Sequence, residues 1–143
     1  MTERDFQSSA SHQGRAFEDH VERVLIANGY DIIERRWRHP DVDVEIDFIA
    51  AEPGHETVYW IECKGSWESN RPGLERTDTV KKLLGSAWML NATPDRLTVE
   101  FIVITSDPPK DGSAGDLWLR YSLKENLIDA VWHLPLTFVK WNP

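Results

Sequence analysis

The segment from residue 42 to residue 64 restricts the fold of this chain more than any other stretch. Its first part, VDVEIDFIA (42–50), alternates apolar and acidic residues, which is typical of a β-strand with one buried face. AEPGHET (51–57) follows, with a Pro-Gly pair that indicates a turn. VYWIECK (58–64) is a second, largely apolar stretch of strand length. The spacing predicts a β-hairpin between 42–50 and 58–64.

Alternation along the first strand assigns its side chains to two faces. The expected faces are Val42, Val44, Ile46 and Phe48 on one side, and Asp43, Glu45, Asp47 and Ile49 on the other. An EF-hand-like calcium loop is excluded because Ile46 stands where such a loop needs glycine. We expect most of these carboxylates to be solvated, and we single out Asp47.

Two opposite charges, Glu62 and Lys64, interrupt the apolar second strand. Burying a carboxylate and an ammonium is costly unless they are paired or bind a metal. Residues two apart in a strand share a face, so Glu62 and Lys64 lie together and Cys63 points the other way, as a small buried hydrophobe. If the hairpin register brings Asp47 beside Glu62, two carboxylates and one lysine meet on neighbouring strands.

Such a group suits Mg²⁺, a hard cation that prefers oxygen ligands and usually takes only one or two carboxylates. A bound Mg²⁺ polarises a phosphodiester and lowers the pKa of a bound water, and a neighbouring lysine stabilises charge that develops on phosphate. The alternative is a cross-strand ion pair between Glu62 and Lys64 on a half-exposed sheet face. The apolar neighbours Val58 and Trp60 on the same face argue against that alternative.

The remaining apolar periodicities predict a mixed α/β fold. In chain order they indicate a helix near 13–28, a strand over 30–37, a helix after a capping Thr77, a strand over 97–106, a helix after a capping Ser113 and a strand over 127–134. With the hairpin, the order is αβββαβαβ, a mixed sheet with helices on both sides. The tail, 135–143, adds an edge strand or lies over the core. We expect residues 1–12 to be a flexible tail and 13–143 to be a single domain.

Charge and composition limit the functional classes. The net charge of −8, from 16 basic and 24 acidic residues, argues against a general nucleic-acid coat protein but allows an enzyme with a locally basic groove. No apolar run reaches the roughly 18 residues of a membrane span, and the N-terminus lacks a signal-peptide pattern. The only cysteine, Cys63, fits a reducing compartment. We therefore expect a cytoplasmic protein without membrane contact.

The site residues and their context resemble a known superfamily. Asp47, fourteen residues, and then Glu62-Cys63-Lys64 look like the D…(D/E)-x-K signature of the PD-(D/E)xK, or restriction-endonuclease-like, nucleases. GRAFEDHV (14–21) supplies a preceding helix with a glutamate, Glu18, as in the Holliday-junction-resolvase-like and Mrr-like branches. GYDIIERRWR, EIDFIA and WIECKGS are similar to the matching segments of those branches and of the YraN-like family. The resemblance covers residues 13–105.

The resemblance implies an αβββαβ nuclease core, followed here by an additional helix and strand. It implies a Mg²⁺-dependent endonuclease that hydrolyses phosphodiester bonds of DNA, with Mn²⁺ as a substitute metal. Asp47, Glu62 and the backbone carbonyl of Cys63 would be the metal ligands, and Lys64 would be the catalytic lysine. Glu18 would hold a metal-bound water or a second ion, although a surface glutamate is the alternative.

The sequence departs from the superfamily pattern in two places. Ile46 precedes Asp47, where the signature has proline. The helix after the lysine strand carries Lys81 and Lys82, where some members have a glutamine. The role of that second helix therefore stays open.

Basic residues near the hairpin are candidates for contact with a nucleic-acid backbone. They are Arg36, Arg38, Arg71, Arg76, Lys81 and Lys82, and solvated positions are the alternative for each. The five histidines show no HExxH or other paired metal-ligand spacing. A homodimer or a partner protein would supply target specificity to so small a chain.

Two other functions remain open at this point. One is a catalytically inactive nucleic-acid-binding domain or complex subunit with the same fold, which the acidic net charge favours. The other is a small-molecule or protein-interaction domain in which Glu62 and Lys64 are purely structural.

Overall fold

The computed structural model describes residues 3–66, 73–134 and 139–141, with side chains from residue 14 onward. The helices and strands are α1 (Glu3–Ala27), β1 (Asp31–Arg38), β2 (Glu45–Ala51), β3 (Val58–Lys64), α2 (Thr77–Asn91), β4 (Val99–Thr105), α3 (Ala114–Lys124), β5 (Ala130–His133) and β6 (Val139–Lys140), with short 3₁₀ turns at Gly73–Glu75 and Pro94–Thr98. This order confirms the predicted αβββαβ core with a further helix and strand. Among the described residues, no helix combines the length and apolar character needed to cross a membrane.

The described strands form one six-stranded sheet in the order β1-β2-β3-β4-β5-β6. β1, β2 and β3 are joined antiparallel, and β4 lies parallel to β3 and to β5. Parallel neighbours need crossover connections, which α2 and α3 provide. β6 pairs antiparallel with β5, so the tail adds an edge strand, one of its two predicted positions.

Two apolar cores separate the layers. On one face, residues of α2 and α3 such as Leu83 and Leu119 pack with Trp60 and Val103 of the sheet; we call this the α2/α3 core. On the other face, the apolar side chains of α1, spaced four apart, pack against the sheet. We call this the α1 core; it includes Phe17, Val21 and Leu25 of α1 and Phe48, Ile61 and Ile104 of the sheet. The three α1 side chains have no exposed surface. Each contributes about 1.5–3 kcal/mol relative to an exposed position, which fixes α1 on the sheet.

Several boundaries differ from the sequence-based expectations. α1 begins at Glu3 rather than near residue 13, and β5 covers only Ala130–His133 of the predicted 127–134. Arg76 is the N-cap of α2, and Thr77 is its first helical residue. Ser113 caps α3 as predicted, because its hydroxyl accepts the backbone N–H of Asp116. The division into a tail over 1–12 and a domain over 13–143 stays a prediction.

β2 begins at Glu45, later than the predicted residue 42, because a tight turn precedes it. The N–H of His39 donates to the carbonyl of Val44, and the N–H of Asp43 donates to the carbonyl of His39. Asp43 has φ 53°, a left-handed conformation that aspartate tolerates better than most residues. Val42 and Val44 therefore lie in the turn between β1 and β2.

The expected face assignment within β2 is wrong for Ile46 and Phe48. Ile46 packs in the α2/α3 core, whereas Phe48 packs in the α1 core. The change of face in β2 lies opposite Arg36 of β1, which has φ 52° in the middle of a strand. A left-handed residue breaks strand alternation, so Trp37 and Ile46 form one layer while Arg35 and Phe48 form the other.

Candidate active site

Asp47 and Glu62 are joined by two reciprocal hydrogen bonds. The backbone N–H of Asp47 donates to Glu62 Oε1 at 3.1 Å, and the N–H of Cys63 donates to Asp47 Oδ2 at 2.7 Å. The β2–β3 backbone ladder ends at the Phe48–Ile61 pair, so these carboxylates accept the next N–H groups in place of carbonyls. The predicted adjacency of Asp47 and Glu62 is observed.

Glu62 is held away from water, and Asp47 beside it is partly buried. Only 8% of the Glu62 side chain is exposed. Burial, the charge of Glu62 and a hydrogen bond with Glu18 raise the pKa of Asp47 far above the ordinary carboxyl range. Burial likewise raises the pKa of Glu62, although Lys64 and the N–H of Asp47 oppose that rise. The fold thus brings carboxylates together without enough positive charge to balance them.

Lys64 closes the site at the end of β3. Its Nζ lies 3.9 Å from Glu62 Oε2, and its side chain is partly exposed. Its carbonyl accepts a hydrogen bond from the Thr105 hydroxyl at 2.7 Å, which ties the end of β3 to β4. A Cβ on the next residue, Gly65, would lie 2.5 Å from the ring of Phe17. Only glycine therefore lets β3 pass α1 this closely.

Glu18 reaches the same cluster from α1. It lies within hydrogen-bonding reach of Asp47 and contributes to the raised pKa of that residue. Its Oε2 also accepts Arg36 Nη2 at 3.1 Å, and Arg35 Nη2 lies 3.7 Å away. Glu18 follows Phe17, so the burial of that ring in the α1 core directs the glutamate to the site edge.

The Cys63 side chain points to the opposite side of β3 from its neighbours Glu62 and Lys64, as the alternation predicts. Its side chain packs against the α1 core, and burial followed by the charges of Asp47 and Glu62 raises the pKa of the thiol. A thiol with a raised pKa is a poor nucleophile. The ligand role of the Cys63 carbonyl, like the catalytic and metal roles of the four acidic and basic side chains, stays a prediction.

The predicted nucleic-acid contacts divide into separate groups. Arg36 pairs with Glu18, and exposed Arg38 pairs with Asp43 at 3.3 Å. The other candidates that the structure describes are exposed on α2 or at its start: Arg76, Lys81 and Lys82. Lys81 Nζ lies over the Trp118 ring of α3, 5.9 Å from its centroid. Arg71 lies outside the described residues. A role in binding nucleic acid stays a prediction for all six.

Sequence reasoning missed a second polar group at the far end of β1. His39, Asp41 and Asp95 place their ligand atoms within 4.8 Å of one another, so the three could hold a metal ion. His39 is buried, whereas Asp41 and Asp95 are exposed. The two-residue spacing of His39 and Asp41 was visible in the sequence, but Asp95 lies 56 residues from His39, and only the fold brings it there.

The ring nitrogens of His39 already have partners. Nδ1 accepts the backbone N–H of Asp41 at 3.1 Å, so Nε2 carries the proton and donates to Asp95 at 2.9 Å. A metal on Nε2 would displace that proton while Nδ1 still faced a donor. These bonds favour a structural hydrogen-bond group over a metal site built on His39.

The strand order and the helix placement are consistent with a restriction-endonuclease-like fold. The chain belongs to the uncharacterised protein family UPF0102, whose model matches residues 17–90. That family comprises restriction-endonuclease-like, YraN-type proteins, and the matched region holds all four predicted catalytic residues. This supports the predicted resemblance at the level of the family.

Other comparisons are distant. No curated protein sequence matches the chain. Among solved structures, Pyrococcus furiosus SfsA in complex with Ca²⁺ aligns at a TM-score of 0.45 and 17% identity, over 92% of this chain. The chain spans 62% of the length of that protein.

Proposed function

We propose that this protein is a Mg²⁺-dependent endonuclease that hydrolyses phosphodiester bonds of DNA, in the Holliday-junction-resolvase-like, Mrr-like or YraN-like branch of the PD-(D/E)xK nucleases. The observation that carries the proposal is the reciprocal pairing of Asp47 and Glu62 at the end of the β2–β3 ladder, with Lys64 alongside. A hairpin needs no buried carboxylates at this position. Their presence is accounted for if they bind a cation.

The donor set fits Mg²⁺. One oxygen of Asp47 and one of Glu62 accept backbone N–H groups, which fixes the orientation of each carboxylate and leaves its second oxygen for a ligand. Carboxylate oxygens on rigid strands are what Mg²⁺ and Mn²⁺ prefer, and a divalent ion would supply the missing positive charge. The His39 group, with an imidazole that is already hydrogen-bonded, fits Mg²⁺ less well.

Each residue then has a defined task. Asp47, Glu62 and the Cys63 carbonyl would hold the ion, which when bound would polarise the scissile phosphodiester and activate water. Lys64 stabilises negative charge that develops on the phosphate. Glu18, held by Arg36, orients water at the edge of the site. None of these tasks needs the side chains to move far, because both strands are paired on their other edges.

The proposed substrate is DNA, contacted by Arg36, Arg38, Arg71, Arg76, Lys81 and Lys82. The net charge of −8 argues against a general affinity for polyanions, and we propose that a homodimer or a partner protein supplies target choice. A cytoplasmic location completes the proposal, supported by the single cysteine.

A cleavage panel tests the proposal. Supercoiled, linear, branched and single-stranded DNA are incubated with wild-type protein and Mg²⁺ or Mn²⁺, alongside Lys64→Met. We expect metal-dependent cleavage by the wild type and a loss on the order of a hundredfold or more in the variant, since charge stabilisation of this kind contributes that much. Lys110→Met, at an exposed lysine, is the matched control and keeps full activity.

The opposite outcomes are also informative. Cleavage that survives in Lys64→Met comes from another site or a contaminant and contradicts the proposal. DNA binding without divalent-metal binding or cleavage supports the alternative, an inactive nucleic-acid-binding domain or complex subunit with the same fold.

A further inference from the structure

Arg36 occupies an unusual position beside the carboxylates. The β1–β2 register pairs Arg35 with Phe48 and Trp37 with Ile46, so Arg36 lies opposite Asp47. Its φ of 52° is left-handed, a conformation that residues other than glycine, asparagine and aspartate rarely adopt. An arginine is ordinary on an edge strand such as β1, but this backbone conformation is not, and it directs the side chain of Arg36 toward the carboxylates.

The Arg36 side chain interacts electrostatically with the carboxylates around it. Arg36 Nη2 donates to Glu18 Oε2 at 3.1 Å, with 46% of the arginine side chain and 16% of the glutamate side chain exposed. The bond to Glu18, its charge, and the more distant charges of Glu45 and Asp47 raise the pKa of Arg36. The guanidinium therefore stands in the field of several carboxylates, and with Lys64 it is a cation that partly balances them.

The preceding residue, Arg35, serves a different purpose. Its strongest contacts run to Glu22 at 2.5 Å and Asp19 at 3.1 Å, and its guanidinium lies 5.1 Å from the centre of the Phe48 ring. These contacts tie α1 to β1 on the outer side of the α1 core. The left-handed turn at Arg36 thus separates an anchoring arginine from one that faces the carboxylates.

We infer that Arg36 is the resident counter-ion of this cluster: it holds Glu18 beside Asp47 and competes with a divalent cation for the same carboxylate charge. This inference rests on the proposed metal site. Arg36 bonds Glu18 and also lies in the field of Asp47, a proposed metal ligand, so its charge and that of a divalent cation repel each other. Metal binding therefore weakens the Arg36–Glu18 pair and the pair weakens metal binding, by the same factor. Removing the guanidinium should therefore tighten metal binding rather than loosen it.

Calorimetric titration with MgCl₂ and with MnCl₂ tests this at one fixed pH and ionic strength. Arg36→Asn removes the charge and keeps a residue that accepts the left-handed conformation. We expect its affinity for both metals to rise on the order of threefold to tenfold, as for a partly exposed charge near the site. Arg36→Lys keeps the charge and stays near the wild-type affinity. Arg23→Gln, at an exposed arginine of α1, controls for net charge and changes affinity less than twofold.

The outcomes separate this inference from the proposed function. Equal or weaker metal binding in Arg36→Asn, with wild-type binding that Asp47→Asn abolishes, overturns the inference and leaves the metal site standing. Binding by Arg36→Asn but not by the wild type supports the inference. Absence of binding in both overturns the proposed function and the inference with it. Arg36→Gly, which also accepts positive φ, repeats the test if Arg36→Asn does not fold.

Discussion

Two buried charged groups in this protein are organised in opposite ways. Arg96, with 7% of its side chain exposed, pairs with Asp129 at 2.9 Å and donates to the carbonyls of Val99, Asn126 and Leu127. Asp129 in turn accepts the N–H of Phe101 at 2.8 Å. One cation and one carboxylate are thus matched inside the fold. We call this group the Arg96 clamp.

The carboxylate cluster at Glu18, Asp47 and Glu62 is not matched in this way. Burial raises the pKa values of Asp47 and Glu62; the charge of Glu62 adds to the rise at Asp47, and the charges of Glu45 and Glu18 add to the rise at Glu62. Lys64 and Arg36 reach it only from partly exposed positions. Buried charges that the fold balances serve the fold, whereas buried charges that it leaves unbalanced point to a ligand from outside.

The largest expected effect on stability comes from breaking the Arg96 clamp. Arg96→Met leaves Asp129 and three carbonyls without their partner, so the free energy of unfolding should fall by about 3–5 kcal/mol. Chemical denaturation followed by circular dichroism measures it. Arg38→Met is the control, since its exposed pair with Asp43 contributes about 0–1 kcal/mol. A loss below 1 kcal/mol in Arg96→Met would contradict a stabilising role of the Arg96 clamp.

The next effect concerns metal and the unbalanced cluster. Saturating Mg²⁺ should stabilise the wild type, by about 2.7 kcal/mol at a concentration one hundred times the dissociation constant. The double variant Asp47→Asn/Glu62→Gln keeps the shapes but loses the charges, so its stability should not respond to Mg²⁺. Thermal unfolding with and without metal gives the answer. An equal metal response in both proteins would place the ion elsewhere.

The raised pKa values of the carboxylate cluster also predict a pH dependence of stability. The folded pKa values of Asp47 and Glu62 lie above their unfolded values, so the native protein keeps protons that the unfolded chain releases. Without metal, this contribution is fully present below about pH 4 and is lost as the pH rises through the raised values. Relative to Asp47→Asn/Glu62→Gln, the wild type should lose on the order of 1 kcal/mol or more between acidic and mildly alkaline pH. Denaturation at a series of pH values, with chelator present, measures the difference; parallel curves would contradict a raised pKa.

The smallest effect belongs to the His39 group. Burial raises the pKa of Asp95, but the hydrogen bond with His39 outweighs burial and lowers it, as expected for a stable surface pair. Asp95→Asn should cost no more than about 1 kcal/mol, because the carboxylate is half-exposed. Its Mg²⁺ affinity in a calorimetric titration should equal that of the wild type. A large drop in affinity would move the metal site from Asp47 to His39.

Much of this structure could be predicted from local sequence. The turn at Pro53-Gly54, the alternation around Asp47 and the apolar run around Glu62 predict the β2–β3 hairpin correctly. The adjacency of Asp47 and Glu62 follows from this hairpin, because a short antiparallel hairpin allows few registers. The αβββαβ order and the helix–sheet layering also follow from apolar periodicity, which depends only on near neighbours.

Other features appear only in the tertiary structure. An arginine carries no signal for positive φ, so neither the reversal of faces at Arg36 nor its hydrogen bond to Glu18 could be predicted from the sequence. His39 pairs with Asp95, 56 residues along the chain, and Arg96 pairs with Asp129, 33 residues along the chain. Which strands form and which charges they carry can be predicted from the sequence, because alternation is local. Which of those charges are balanced depends on the fold, because burial and pairing involve residues far apart in the chain.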